Sequence, residues 1–590
     1  MKKEQKYLAI LFFVVFVASL LLGVGAVSND DYGYVGEMVR IANGSFRMPG
    51  LSMTELRIGY YLPSAVFTYV LGYNNFGLLV SNYIALVLIL FMLYKTSMLL
   101  FDDHKTSFVS LIILLSSPII FSKVVITYPT IFNTLYCAAF GYFFLYSEIK
   151  AKENKERNIY YFLSGLMLGL AWYTRTFSFI PLLFVILYIM FIKKKLNKGY
   201  WYFILGGFSA VVLGEGYYYI TSGEIFYRFQ RAMSHFGAKI AIVHQFTGKT
   251  KSSVPLTIMP GYSIDLFLKV NRFGITNILA LLAAIYLVFK ERTRSLGTLL
   301  CWFVGIYLGF EFVLPLLIGM RDPTSQYIVP ILIPASILAA RGLRVFTDNI
   351  NTKKLKIKNL KIVFGIISFF LLISLTFSIL NFNNILNTFQ SYYGNPRPYM
   401  SHFEVKNISY YFYGLFVFIQ AAMLIYFIRL NFKLKDINKS KILFNVIILL
   451  AILFIPVGIY KTGVLKSQTL HIKNLASYIK KNDINKLYYL WPDDSGKILH
   501  YYKISFDNHG LNKGFSDDCK LLPEKFASMN NYYVVVNKKR LAQQLEYIKP
   551  GEEKNWRSHE KTVDFRVISE FPPNWVEVIK EGDLSLYYAK

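Results

Sequence analysis

Apolar residues recur in runs of 15 to 22 along the first 460 positions, separated by polar segments. A helix rises about 1.5 Å per residue, so roughly 20 apolar residues cross a hydrocarbon core of about 30 Å. The pattern predicts about thirteen transmembrane helices, near 8–27, 76–94, 107–121, 130–148, 159–173, 177–192, 200–220, 273–289, 297–317, 326–340, 361–380, 407–428 and 442–460. The run 58–71 is apolar and Tyr-rich but abuts the next span, and reads as a re-entrant or interfacial helix. Residues 1–27 read as a first span, although Ala26-Val27-Ser28 resembles a signal-peptide cleavage site, because the apolar stretch is long for a cleaved leader.

After residue 460 the pattern changes. Residues 468–482 have helical spacing, while 486–491, 532–537 and 584–589 read as strands, and a helix is predicted over 540–547. The expectation is therefore a polytopic α-helical membrane domain over 1–460, with long loops at 28–75 and 221–272, followed by a small α/β domain over 461–590.

Charge distribution orients this layout. Placing Met1 in the cytoplasm and alternating, the inner segments 1–6, 95–105, 149–158, 192–199, 290–296, 341–361 and 429–441 hold 28 Lys+Arg in 76 residues. The outer loops 28–75, 122–129, 174–176, 221–272, 318–325 and 381–406 hold 15 in 145. This is the positive-inside bias of a multi-pass cell-membrane protein, with the C-terminal domain extracytoplasmic. It accounts for most of the formal charge of +29 without a nucleic-acid partner. A charged fraction of 17% excludes an ordinary soluble enzyme, and an aromatic fraction of 17% excludes disorder. Three cysteines cannot build a disulfide framework.

The candidate chemistry lies at the outer ends of spans. Asp30 and Asp31 directly follow the first span. A carboxylate pair there is solvated, paired or used; it also suits the cap of a helix over Tyr34–Arg40. Arg57 precedes the aromatic-rich Tyr60-Tyr61 and suits a phosphate or carboxylate partner, or serves as a snorkelling anchor. Arg175 sits in a very short outer connection against the charge bias, and Arg321 is similar but neighbours Asp322. Glu215 lies near the outer end of an apolar span beside Tyr217-Tyr218-Tyr219 and needs a partner. His235 and His244, which share the second long loop with Arg228 and Arg231, read as surface residues. Trp491-Pro492-Asp493-Asp494 reads as a turn. Walker A, GxGxxG, GxSxG and HExxH patterns are missing from the sequence, so nucleotide and serine hydrolysis have no support.

The order of these features resembles the GT-C glycosyltransferases, specifically the dolichyl-phosphate-mannose–protein mannosyltransferases and their bacterial relatives, including aminoarabinose transferases. Asp30-Asp31-Tyr32 matches the acidic pair of the first outer loop. Gly165 through Ala171 and Arg175 are similar to the family's G-x-x-x-G-L-A…R span. Gln326-Tyr327 through Pro334, with Ala339-Ala340-Arg341-Gly342, resembles its RY-x-x-P…P…AA-x-G span. Two departures stand out. Tyr128-Pro129-Thr130 occupies the stretch where some relatives carry a further carboxylate, and Gln326 replaces the Arg of RY.

The resemblance implies transfer of a sugar from a polyprenyl-phosphate donor to a glycan, lipid or protein acceptor at the outer face, with inversion. Asp30 or Asp31 would be the base, and Arg57, Arg175 and Arg321 would hold the donor phosphate. Glu55, Tyr60, Tyr61 and Glu215 would line the sugar or acceptor site. No cofactor is required by this scheme, and a divalent metal stays open. The competing readings are a lipid or glycan transporter (flippase) and a catalytically inactive relative. A transporter would favour inverted repeats and mid-membrane charges, and no repeat is evident.

Overall fold

The computed structural model describes residues 3–25, 29–44, 56–151, 153–231, 270–313, 327–352, 421, 425, 474–484, 487–489, 532–537, 575–581 and 584–589. The chain divides into two compact units. The first comprises Met1–Gly25, Gly33–Asn381 and Gly414–Thr462; the second comprises Ala26–Tyr32, Phe382–Tyr413 and Gly463–Lys590.

Local chemistry sets the helix ends in the first unit. After α1 (Lys3–Leu22), α2 (Asn29–Ala42) and α3 (Ile58–Leu71), α4 (Asn75–Phe101) starts where the Asn74 side chain accepts the Gly77 N–H at 3.0 Å. It stops at Asp102, whose φ of 47° is left-handed. Asp103 then caps α5 (His104–Leu115), accepting from Lys105 N at 3.0 Å and Thr106 Oγ1 at 2.6 Å. The span predicted over 107–121 is broken: α5 and α6 (Pro118–Val124) meet at 67°. Proline disfavours helix in the residue before it and starts the new one at N1.

The following helices are α7 (Thr130–Ile149), α8 (Asn154–Thr174), α9 (Leu182–Leu187, continued by a π-helical Tyr188–Lys193) and α10 (Tyr200–Ser222). A turn at Val270–Phe273 precedes α11 (Thr276–Lys290). Then come α12 (Arg294–Leu308), extended by a π-turn over Gly309–Val313, and α13 (Leu332–Thr352), which runs beyond the predicted end at 340. Among the described residues, four stretches are long and apolar enough to cross a membrane: Asn75–Phe101, Tyr200–Ser222, Arg294–Val313 and Val329–Asp348. The bent α5–α6 pair makes a fifth, and Leu8–Leu22, Ile58–Leu71, Leu182–Lys193 and Thr276–Lys290 are shorter apolar helices. Of the thirteen predicted spans, 361–380 and 442–460 lie outside the described residues, as does all of 407–428 but residues 421 and 425.

Packing brings α3, α7, α8 and α10 together. A Cβ on Gly165 would sit 1.9 Å from the Phe203 carbonyl oxygen, and one on Gly206 2.0 Å from that of Phe162, so the backbones of α8 and α10 touch. A Cβ on Gly59 would lie 2.7 Å from the Leu170 carbonyl oxygen, which presses the start of α3 against the end of α8.

The second unit holds a four-stranded sheet in the order β1 (Leu487–Tyr489), β2 (Tyr532–Asn537), β4 (Leu584–Ala589), β3 (Trp575–Glu581). β1 runs parallel to β2, and the other pairs are antiparallel. Val535 and Leu586 on one face pack with Leu475, Ala476 and Ile479 of a helix over 474–481. The predicted helix over 540–547 and the turn at Trp491–Asp494 lie outside the described residues.

Candidate functional site

Arg57 is the residue before α3. Its guanidinium donates a hydrogen bond to the Tyr34 hydroxyl and lies 5.2 Å from the centre of that ring. Tyr34, fully buried on α2, meets Tyr60 and Tyr128 edge to face at 5.5 and 5.7 Å, and Tyr60 meets Phe132 at 5.5 Å. Tyr128 is held by the 125–128 segment, where Val24 N–H reaches Val125 O at 2.9 Å and Asn82 reaches Ile126 O at 2.7 Å.

Arg175 joins the same cluster through Tyr128. It terminates α8, its N–H bonding to Ala171 O at 2.9 Å, and only 1% of it is exposed. The guanidinium is sandwiched between Tyr128, 4.9 Å away, and Tyr327, 4.8 Å away. Nη2 donates to Thr130 Oγ1 at 2.9 Å, while Nε and Nη1 have no hydrogen-bond partner among the described residues. Lys123 adds its ammonium 4.1 Å from the Tyr128 ring centre. Three cations thus converge on one aromatic cluster. Stacking on two rings contributes about 2 kcal/mol or more when desolvated. Each unmade donor costs about 1–3 kcal/mol, more on a charged group. An anion placed against Nε and Nη1 removes that cost and matches the planar fork of the guanidinium.

A polar chain runs on from this cluster. Tyr61 is buried against Tyr218, and the Tyr218 hydroxyl accepts the Ile58 N–H at 3.4 Å. Glu215 finds the partner its depth requires in Tyr173, whose hydroxyl donates to Oε1 at 2.9 Å; Oε2 has no hydrogen-bond partner among the described residues. Glu37 on α2 pairs with Arg40, yet burial pushes its carboxyl above the ordinary value against that pull.

Of the residues singled out by sequence, Arg57, Arg175 and Tyr60 come together at the cluster, and Tyr61 and Glu215 belong to the adjoining chain. Asp30 and Asp31 lie inside the first turn of α2, since the helix begins at Asn29. They therefore do not cap a helix that starts at Tyr34, and negative charge in a first turn is favoured by the helix dipole. Their side chains, together with Glu55, Arg321, His235 and His244, lie outside what is described. Among the described residues no three His, Cys, Asp or Glu side chains group as metal ligands. Arg228, read as a loop cation beside the two histidines, is only 2% exposed. Its burial depends on partners far away in sequence, which local pattern does not reveal.

Residues 59–214 match the family model of the dolichyl-phosphate-mannose-protein mannosyltransferases. No curated protein sequence matches the chain. Among solved structures, ArnT from Cupriavidus metallidurans bound to undecaprenyl phosphate superposes with a TM-score of 0.64 at 11% identity, covering 98% of this chain and 97% of that one. Its apo state gives the same values. At that identity the likeness speaks to fold, and the matched segment spans Gly59, Tyr60, Tyr128 and Arg175 of the cluster. The chain therefore has the fold of ArnT, and its segment 59–214 is similar to the dolichyl-phosphate-mannose-protein mannosyltransferases.

Proposed function

We propose that the chain transfers a sugar from a polyprenyl-phosphate donor to an acceptor hydroxyl at the outer face of the cell membrane, inverting the anomeric centre. The observation that carries this reading is the buried Arg175, stacked against two tyrosines with Nε and Nη1 unsatisfied among the described residues, in the aromatic cluster that Arg57 and Lys123 also meet. The donor phosphate would accept from Arg175 and Arg57, with Lys123 adding charge and Arg321 as a further ligand. The binding of undecaprenyl phosphate by ArnT supports a lipid phosphate as the anion.

In the reaction, the acceptor oxygen attacks the anomeric carbon as the carbon–oxygen bond to phosphate breaks. The acceptor proton passes to Asp30 or Asp31, and the phosphate leaves as a dianion stabilised by the guanidinium groups. Tyr60, Tyr61, Glu55 and Glu215 would border the sugar and acceptor. The positive-inside bias supports a cytoplasmic N-terminus and an extracytoplasmic C-terminal domain.

The test is release of undecaprenyl phosphate from undecaprenyl-phosphate sugars by the nanodisc-embedded chain, supplied with membrane extract as acceptor source. Wild type is expected to release it, and Asp30→Asn or Asp31→Asn to abolish release at unchanged membrane abundance. Full release by both single variants would reject the proposed base.

A further inference from the structure

Arg228 follows α10 in a short helical segment over 227–231, and its contacts join two distant parts of the backbone. Nε donates to the Leu56 carbonyl at 3.0 Å, and Nη2 donates to the Trp172 carbonyl. The guanidinium stacks on Trp172 and Tyr173, 4.2 and 4.6 Å from their ring centres. Among the described residues no carboxylate lies within ion-pair distance of it. Burying a charge is costly; two carbonyls and two rings hold this one, Glu215 attracts it at longer range, and Nη1 has no hydrogen-bond partner among the described residues.

The position of those carbonyls is informative. The Leu56 carbonyl belongs to the peptide unit that leads into Arg57. Trp172 lies in the last turn of α8, three residues before Arg175, where helix carbonyls lack successor N–H groups and a cation is favoured. Two further contacts pin the same junction: Ile58 N–H to the Tyr218 hydroxyl, and the close approach of Gly59 to Leu170 and Thr174.

We infer that Arg228 is a positioning residue that ties the segment bearing Arg57 to the segment bearing Arg175, so that both guanidinium groups address one phosphate. The inference rests on the reading of those two arginines as phosphate ligands. Only a planar fork can donate to two carbonyls while stacking on two rings. A lysine keeps the charge but not that geometry, which separates positioning from simple electrostatics.

The experiment measures affinity of the full chain in nanodiscs for undecaprenyl phosphate and for undecaprenol, and reads their ratio. Wild type is expected to prefer the phosphate, and Arg57→Ala and Arg175→Ala each to lose about tenfold or more of that preference, the worth of one charge-assisted hydrogen bond. Arg228→Lys and Arg228→Gln should lose a comparable factor with undecaprenol affinity unchanged, whereas general destabilisation would lower both. The double variant Arg57→Ala/Arg228→Lys should lose no more than Arg57→Ala alone. Retention of the preference by Arg228→Lys and Arg228→Gln, while Arg57→Ala loses it, overturns the positioning role. Full additivity in the double variant overturns it too, because Arg228 would then bind phosphate independently. If Arg57→Ala and Arg175→Ala both keep the preference, the phosphate reading falls first and the inference falls with it.

Discussion

The two ends of α7 carry two opposite solutions to buried charge. Near its start, Thr130 accepts from Arg175, a guanidinium with two nitrogens left without partners among the described residues. Eighteen residues on, about 27 Å along the helix, Glu148 is equally buried but fully engaged. Lys193 donates to it at 2.8 Å, Tyr200 at 2.9 Å and Tyr188 at 3.1 Å, with Tyr161 as a fourth donor. The completely paired carboxylate holds helices in place; the two open donors of Arg175 leave room for an added acceptor, the role proposed for it here. On the proposed reading, that contrast separates a structural end of this helix cluster from a chemical one.

The largest effect sharpens the chemical end. Asp30→Asn or Asp31→Asn, whichever removes the base, should cost about 10²–10⁴-fold in sugar transfer, measured by release of undecaprenyl phosphate. At the structural end, Glu148→Ala strands Lys193 and three tyrosines. It should cost about 3–5 kcal/mol of stability, read by denaturation in detergent, with the phosphate-over-alcohol preference intact. Loss of that preference in Glu148→Ala would erase the distinction between the ends. Arg175→Met should do the reverse: about a tenfold loss of preference, with the melting temperature unchanged or raised, because an incompletely satisfied charge has been replaced by apolar volume. A fall in melting temperature as large as that of Glu148→Ala would make Arg175 structural.

The smallest effect lies outside the membrane. Burial alone would raise the Asp103 carboxyl, but hydrogen bonds from Thr106 and Lys105 and the charge of Arg344 outweigh it and hold the group below its ordinary value. A depressed folded value contributes stability that is present above the unfolded value of about 3.9 and is lost as pH falls through the folded one. Asp103→Ala should therefore cost about 1 kcal/mol near neutral pH, and flatten the acid limb of the stability profile.

How much of this was legible from sequence depended on how local the signal was. Strands 532–537 and 584–589, short runs rich in Tyr with Val or Leu, coincide with β2 and β4. β3 went unread because Glu577, Lys580 and Glu581 break its apolar pattern, and a register shift between Glu577 and Ile579 disrupts the alternation. The break between α5 and α6 is written in Ser117-Pro118, but continuous hydropathy hides it. Arg175 stood out by position alone. Its enclosure by Tyr128 and Tyr327 is a tertiary fact, as are the Tyr173 partner of Glu215 and the burial of Arg228, whose anchors lie 56 and 172 residues earlier. A long polar loop makes any arginine look exposed until the carbonyls it must satisfy are known.

The central claim is that Arg175 and Arg57 hold a lipid-borne phosphate. An electron cryomicroscopy reconstruction of the nanodisc-embedded chain with undecaprenyl phosphate tests it most directly. The account predicts phosphate density within about 3.2 Å of Arg175 Nε or Nη1, beside Arg57 and against the Tyr128 ring. A phosphate bound elsewhere, with the Arg175 guanidinium still closed between its two tyrosines and touching no ligand, would contradict it.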